Sequence, residues 1–146
     1  MEWKVRGIRG AITVNENSKK AIAEAVTELL DDIEAHNSFN SEDISYVFFT
    51  TTPDLDAVFP AAIARSRPGW DRVPLLDLQQ MAVPGSLTFC IRVLIQVNTT
   101  APQSAIVHSY LRKAQYLRPD LSTVISNQRC DPASTTGASS STPYNQ

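Results

Sequence analysis

Two cysteines and two histidines are all that this 146-residue chain offers to a soft metal or a redox couple. Cys90 and Cys130 lack metal-ligand spacing. One lies in an apolar run and the other in a polar stretch, which argues against a disulfide framework and fits a reducing cytosol. No glycine-rich phosphate loop and no histidine cluster is present. No block of lysine and arginine stands out, and 13 basic residues face 15 acidic ones for a net charge of −2. Nucleic acid and anionic membrane are therefore not expected partners. No apolar run approaches the ~18 residues that span a bilayer. The opening MEWKVRGIRG enters a strand-like pattern with no signal-peptide apolar region. The expectation is a cytoplasmic protein with no cofactor, built as one domain plus a tail.

What is present alternates between strand and helix. Trp3 to Val14 reads as a strand, with Val5, Arg9, Ala11 and Thr13 on one face and Ile8, Ile12 and Val14 on the other. Gly7 and Gly10 bracket Arg9, and glycine inside a strand marks a bulge or a close backbone approach. Asn15 to Ser18 is a capping cluster, and a helix is predicted from about Ser18 to His36. Ile22, Val26, Leu29 and Ile33 form its core stripe. Glu24, Glu28, Asp31 and Asp32 read as a solvated face. Ile44 to Thr51 is a second strand, apolar on both faces and so expected to be covered on both sides. Asp54 reads as a turn or capping residue. Pro60 opens a short helix carrying Arg65, and Pro68-Gly69 closes it. Residues 106–117 fit both helical and alternating spacing. From Ser122 the chain is rich in serine and threonine with few large apolar groups. Residues 122–146 are therefore expected to be a disordered tail behind a domain of residues 1–121.

The stretch LLDLQQMAVPGSLTFCIR, residues 75–92, joins two strand-like runs. The first, from Val73, carries Asp77 and ends near Gln79 and Gln80. The second, from Phe89, carries Arg92. An acid and a base on adjacent apolar strands carry a desolvation cost unless a partner or ligand offsets it. A structural ion pair or outward-facing side chains would also account for them.

Four stretches together resemble the trimeric, mixed α/β class of chorismate mutases. They are Val5-Arg6-Gly7-Ile8-Arg9-Gly10-Ala11, Thr52-Pro53-Asp54-Leu55-Asp56-Ala57-Val58-Phe59-Pro60-Ala61, Cys90-Ile91-Arg92-Val93, and Tyr110-Leu111 with Leu117-Arg118-Pro119-Asp120-Leu121. The resemblance covers about residues 3–121. It implies an α+β fold: a mixed β-sheet with a long outer helix and a short second helix. Three copies would form a homotrimeric pseudo-α/β-barrel with active sites at the subunit interfaces. It also implies that residues 107–116 are largely strand. The implied reaction is the Claisen rearrangement of chorismate to prephenate, in phenylalanine and tyrosine synthesis. That reaction needs preorganised charge and a restricted conformer rather than metal, redox cofactor or covalent intermediate.

The resemblance carries over residue by residue. Arg92 matches the arginine that donates to the breaking ether oxygen. Arg9 and Tyr110 match ligands of the enolpyruvyl carboxylate. Phe59, Ala61 and Arg65 match a wall from the neighbouring subunit, and Leu76 and Leu117 match pocket-lining positions. Arg118 matches a mobile arginine over the entrance. The chain departs from the family pattern at Asp77, where cysteine is usual, and at Gln80, where glutamate is usual. Ala62 stands where some members carry lysine. Either the ring-facing charge has moved from position 80 to Asp77, or Asp77 merely pairs with an arginine in a weakened site. In the second case the alternative is a trimeric small-anion-binding or regulatory protein on the same scaffold.

Overall fold

The computed structural model describes residues 2–120; the expected tail, residues 122–146, lies outside them. The long helix starts where its cap allows. Ser18 holds an extended backbone, and its Oγ accepts from the Ala21 amide at 3.1 Å, satisfying one of the amides that a helix start leaves without a partner. Helix α1 then runs Lys19–His36 and buries Ile22, Ala25, Val26, Leu29, Leu30 and Ile33. Beyond its end, Asn37 donates to the Ile33 and Val107 carbonyls and accepts from the Val107 amide. One side chain thus ties the helix end to a segment seventy residues later.

The sheet has five strands: β1 (Lys4–Thr13), β2 (Ile44–Thr51), β3 (Leu75–Gln79), β4 (Cys90–Thr99) and β5 (Ser109–Leu111). Their order is β3-β2-β4-β1-β5. β4 lies antiparallel to both β1 and β2, whereas β3 and β5 add parallel edges. The expected mixed sheet is therefore present. Helix α1 and the short α2 (Pro60–Arg65) pack on one face. There Ile8, Ile12, Val47, Phe49, Val93 and Ile95 join the α1 stripe in one core. The other face carries Arg9, Ala11, Phe48, Thr50, Arg92 and Leu94, as the cross-strand register requires.

Gly10 shows why β1 needs glycine there. A Cβ at this position would stand 3.0 Å from Ile33 Cδ1 and from Val93 Cγ1, and 3.1 Å from Leu29 Cδ1. The helix packs directly on the backbone of β1. Gly7 makes no such approach, since its nearest neighbour would be 3.6 Å away.

Three expectations need correction. Residues 107–116 are not largely strand. Strand pairing stops at Leu111, and Arg112 adopts a left-handed backbone with φ 54°. Its guanidinium donates to the Thr13 carbonyl and to Glu28, and a 3₁₀ turn, Arg112–Tyr116, follows. The alternating pattern was that of a turn docked on β1. Second, Asp77 and Arg92 are not on adjacent strands, because β2 lies between β3 and β4. Third, β2 is central as expected, but within one chain it is fully covered on one face only. Val47 and Phe49 are buried, while Tyr46 and Phe48, stacked with ring centroids 4.6 Å apart, are half-buried on the other.

The acidic face of α1 is occupied by ion pairs. Arg67 meets Asp31 and Glu34, and Arg112 meets Glu28. Arg67 also lies over Trp70, whose Nε1 donates to Glu34. This joins the end of α2 to α1.

Substituting Gly10→Val should crowd three core side chains and lower stability by about 1–3 kcal/mol. Urea unfolding should show a lower midpoint with an unchanged slope. An unchanged midpoint would mean that α1 does not press on β1.

Candidate active site

Arg92 is the one buried guanidinium of the described residues, 8 % exposed on the middle strand. Its position is fixed from the N-terminal end of β4. Phe89 adopts a left-handed backbone, φ 49°, and its amide donates to both oxygens of Asp54 at 3.2 and 3.0 Å. Thr52 donates its hydroxyl to Asp54 and accepts from the Cys90 amide. The Val14 amide donates to the Phe89 carbonyl. Asp54 is thus a turn residue, as its sequence context implies. It closes the bend that aims β4 into the sheet.

The register then sets what Arg92 meets. Ala11 stands opposite it on β1 and Thr50 on β2. Thr50 Oγ1 donates to Gln80 Oε1 at 2.8 Å, which fixes the Gln80 amide just past β3. Arg9, Thr50, Gln80 and Arg92, with Phe48 and Leu78, line a cavity of about 230 Å³. Its lining contains two arginines and no carboxylate among the described residues. Two cations over a partly apolar floor favour an anionic ligand. Tyr110 is buried beside this cavity with Ala11, Cys90 and Ala114, and Leu117 packs against them. Burial pushes the Cys90 thiol up, and Arg92 beside it draws it partly back. Leu76 lies on the Arg92 face of the edge strand and is exposed. Arg118 donates through Nε and Nη2 to Asp120 at 3.2 and 3.0 Å.

The remaining expected residues lie elsewhere. Asp77 pairs in register with Phe49, whose side chain is in the helix-side core, whereas Arg92 pairs with Thr50. The two therefore point to opposite faces of the sheet. Asp77 Oδ1 accepts from the Ala61 amide at 3.0 Å, at the start of α2. Burial raises its pKa, while that amide and Arg65 pull it down. With Phe59 and Pro60 it lines a second cleft of about 620 Å³. Phe59 is 71 % exposed there, and Arg65 is exposed at the end of α2. Ala61 is buried beneath them. Within one chain, the Phe59, Ala61, Arg65 and Asp77 group and the Arg9, Gln80 and Arg92 group do not form one pocket.

Comparison with known proteins now decides the family. The model of chorismate mutase type I matches residues 5–121. The chain is 45 % identical over 118 residues to chorismate mutase AroH of Bacillus subtilis, covering 81 % of this chain and 93 % of that one. It is 51 % identical over 118 residues to chorismate mutase AroH of Thermus thermophilus, covering 80 % and 96 %. The chain belongs to the chorismate mutase type I family. It is an enzyme, an isomerase with chorismate mutase activity. A solved chorismate mutase from Clostridium thermocellum superposes with a TM-score of 0.72 at 41 % identity, over 75 % of this chain and 97 % of that one. The mixed sheet with two helices is thus a chorismate mutase fold.

Against that family background, three residues escaped the sequence reading. Thr50 orients Gln80, Phe48 floors the cavity, and His108 accepts from the Arg9 amide at 2.9 Å. The alternation of β2 put Phe48 and Thr50 on one face, so only the identity of that face was missing. His108 gave no signal, because its role depends on a pairing between distant strands.

Asp54→Ala should leave the Phe89 amide and the Thr52 hydroxyl without their acceptor, at a cost of about 1–3 kcal/mol. Asp54→Asn should retain part of that stability. Chemical denaturation of both variants checks this, and equal stability of wild type and Asp54→Ala would dismiss the brace.

Proposed function

We propose that this chorismate mutase rearranges chorismate to prephenate at sites shared between copies of the chain in a homotrimer. The observation that carries the reading is the acid-free cavity holding Arg9 and Arg92 on one sheet face. A dianionic substrate held there as a compact chair would meet fixed donors as its ether C–O bond breaks and the new C–C bond forms. Arg92 would donate to the ether oxygen as negative charge grows on it. Arginine suits this task because its rigid fork addresses two acceptors at once. A donor preorganised toward developing charge needs no reorganisation when the bond breaks. Arg9 and Tyr110 would bind the enolpyruvyl carboxylate, with Leu117 and Leu76 as apolar lining. Arg118 would move from Asp120 to a substrate carboxylate at the entrance.

A second copy would supply the missing wall. Phe59 is largely exposed, and the exposed Leu76, Leu78 and Val5 leave the face opposite the helices partly uncovered. Apolar area of this kind favours association. Phe59, Arg65 and Asp77 of a neighbouring copy, backed by the buried Ala61, would then close over Arg92 and Gln80. The offset of three residues between Asp77 and Gln80 reverses the strand face. Relocation of the ring-facing carboxylate from position 80 to Asp77 therefore requires the assembly. Gln80 would keep a hydrogen bond to the ring hydroxyl, and Asp77 from the neighbour would restore the charge. The setting is cytoplasmic aromatic amino acid synthesis. No helix among the described residues is long and apolar enough to cross a membrane.

Following chorismate loss in folded, trimeric variants tests both roles. Arg92→Ala should lower kcat by about 10²–10³ or more, as for removal of a preorganised donor. Asp77→Asn keeps an oxygen for the Ala61 amide but removes the charge. It should lower kcat at least about tenfold, or ~1.4 kcal/mol in the barrier. Unchanged turnover in Asp77→Asn beside a collapse in Arg92→Ala would reduce Asp77 to a cap on α2. A monomer by sedimentation, active as such, would refute the shared site.

A further inference from the structure

The parallel ladder between β1 and β5 has three register pairs: Gly10 with Ser109, Ala11 with Tyr110, and Ile12 with Leu111. It ends one residue short of Arg9. The Arg9 amide finds its acceptor in a side chain instead, His108 Nδ1 at 2.9 Å. We propose that His108 is a positioning residue for Arg9: its neutral imidazole, protonated at Nε2, fixes the Arg9 backbone and so the aim of the guanidinium, and protonation in acid releases it. This rests on Arg9 being a substrate-carboxylate ligand.

The chemistry of the contact dictates the tautomer. An amide N–H needs a lone pair, so Nδ1 cannot carry a proton while the bond exists. An imidazolium presents N–H at both positions and would face the Arg9 amide donor to donor. The surroundings favour the neutral ring. Burial holds the His108 pKa below its ordinary value, and Arg9 from β1 and Arg118 from beyond the 3₁₀ turn add to that effect. His108 cannot simply follow a shift of Arg9. Asn37, at the end of α1, holds both backbone groups of the preceding Val107. The helix terminus thus anchors the chain one residue before the ring that meets the Arg9 amide.

The sign follows from the lowered pKa. The contact is complete above the unfolded histidine value of about 6.5 and is lost as pH falls through the folded value. In that window the unfolded chain binds the proton first, so stability falls with the contact.

Steady-state kinetics with chorismate over about pH 5 to 8 tests the proposal, with His108→Asn as the reference for any other group titrating there, including Asp77, whose pKa burial raises. The wild-type KM should rise several-fold on the acid side, with kcat changing much less. His108→Asn offers Oδ1 where Nδ1 stands and does not titrate, so its KM should match wild type at pH 8 and stay flat in acid. His108→Ala should raise KM about five- to tenfold throughout, in line with one lost hydrogen bond. An acid-side rise in His108→Asn equal to that of wild type would overturn the proposal. So would nitrogen NMR of the wild-type enzyme finding the proton on Nδ1 at pH 8, a readout that needs neither turnover nor a stable variant. Arg9→Ala separates the premises. If it leaves KM unchanged, the role of Arg9 fails, while the ring tautomer still reports the contact by itself.

Discussion

Alternate residues of β4 serve opposite masters, and the molecule is arranged around that alternation. Ile91, Val93, Ile95 and Val97 point to the helices and are almost wholly buried. Cys90, Arg92 and Leu94 point the other way. A guanidinium in the middle of a sheet is tolerable only if polar or anionic groups meet it on its own face. Thr50 on β2 and Gln80 just past β3 bring polar groups to that face, beside Phe48, Arg9 and Ala11. A slip of one residue in any of these registers would turn the same side chains into the core. The strained start of β4, with Phe89 left-handed and held by Asp54, secures the register from one end.

The elements built on a single period were legible in the sequence. The alternation of β1, the bounds of β2, the α1 stripe and the Ser18 cap all rest on local chemistry, and each stands within a residue or two of its expected place. What failed was non-local. Strand order is absent from the sequence pattern, so two strands consecutive in the chain looked like neighbours in the sheet. The left-handed backbone at Arg112 has no local signature, and its side chain is held there by distant partners, Thr13 and Glu28. The opposed facing of Asp77 and Gln80 was available from strand parity alone, three being an odd offset.

The candidate site was legible in a different way. Periodicity could say that Arg9 and Arg92 lay on strands, but not that they shared a cavity. Only family resemblance joined them to Tyr110 and Leu117, and it could not supply Thr50 or His108. Those two act through bonds to other side chains or backbone: Thr50 through the Gln80 amide and His108 through the Arg9 amide. Such supporting contacts depend on which strands meet, and a motif records only the residues they support.

The three-residue ladder of β5 has a consequence for the energetics of the whole molecule. β4 shares long ladders with strands on both sides, so displacing Arg92 from its place requires breaking the centre of the sheet. The limb that bears Tyr110, Leu117 and Arg118 is joined to β1 by few backbone bonds, supplemented by Asn37, His108 and Arg112. Segments with so little shared bonding open at a fraction of the global unfolding free energy. The arginine at the sheet centre and the groups of the C-terminal limb are thus expected to open separately, with slower amide exchange at the centre than at the limb. The site as proposed, drawing on both, would admit a ligand by loosening its edge while its charged centre stays folded.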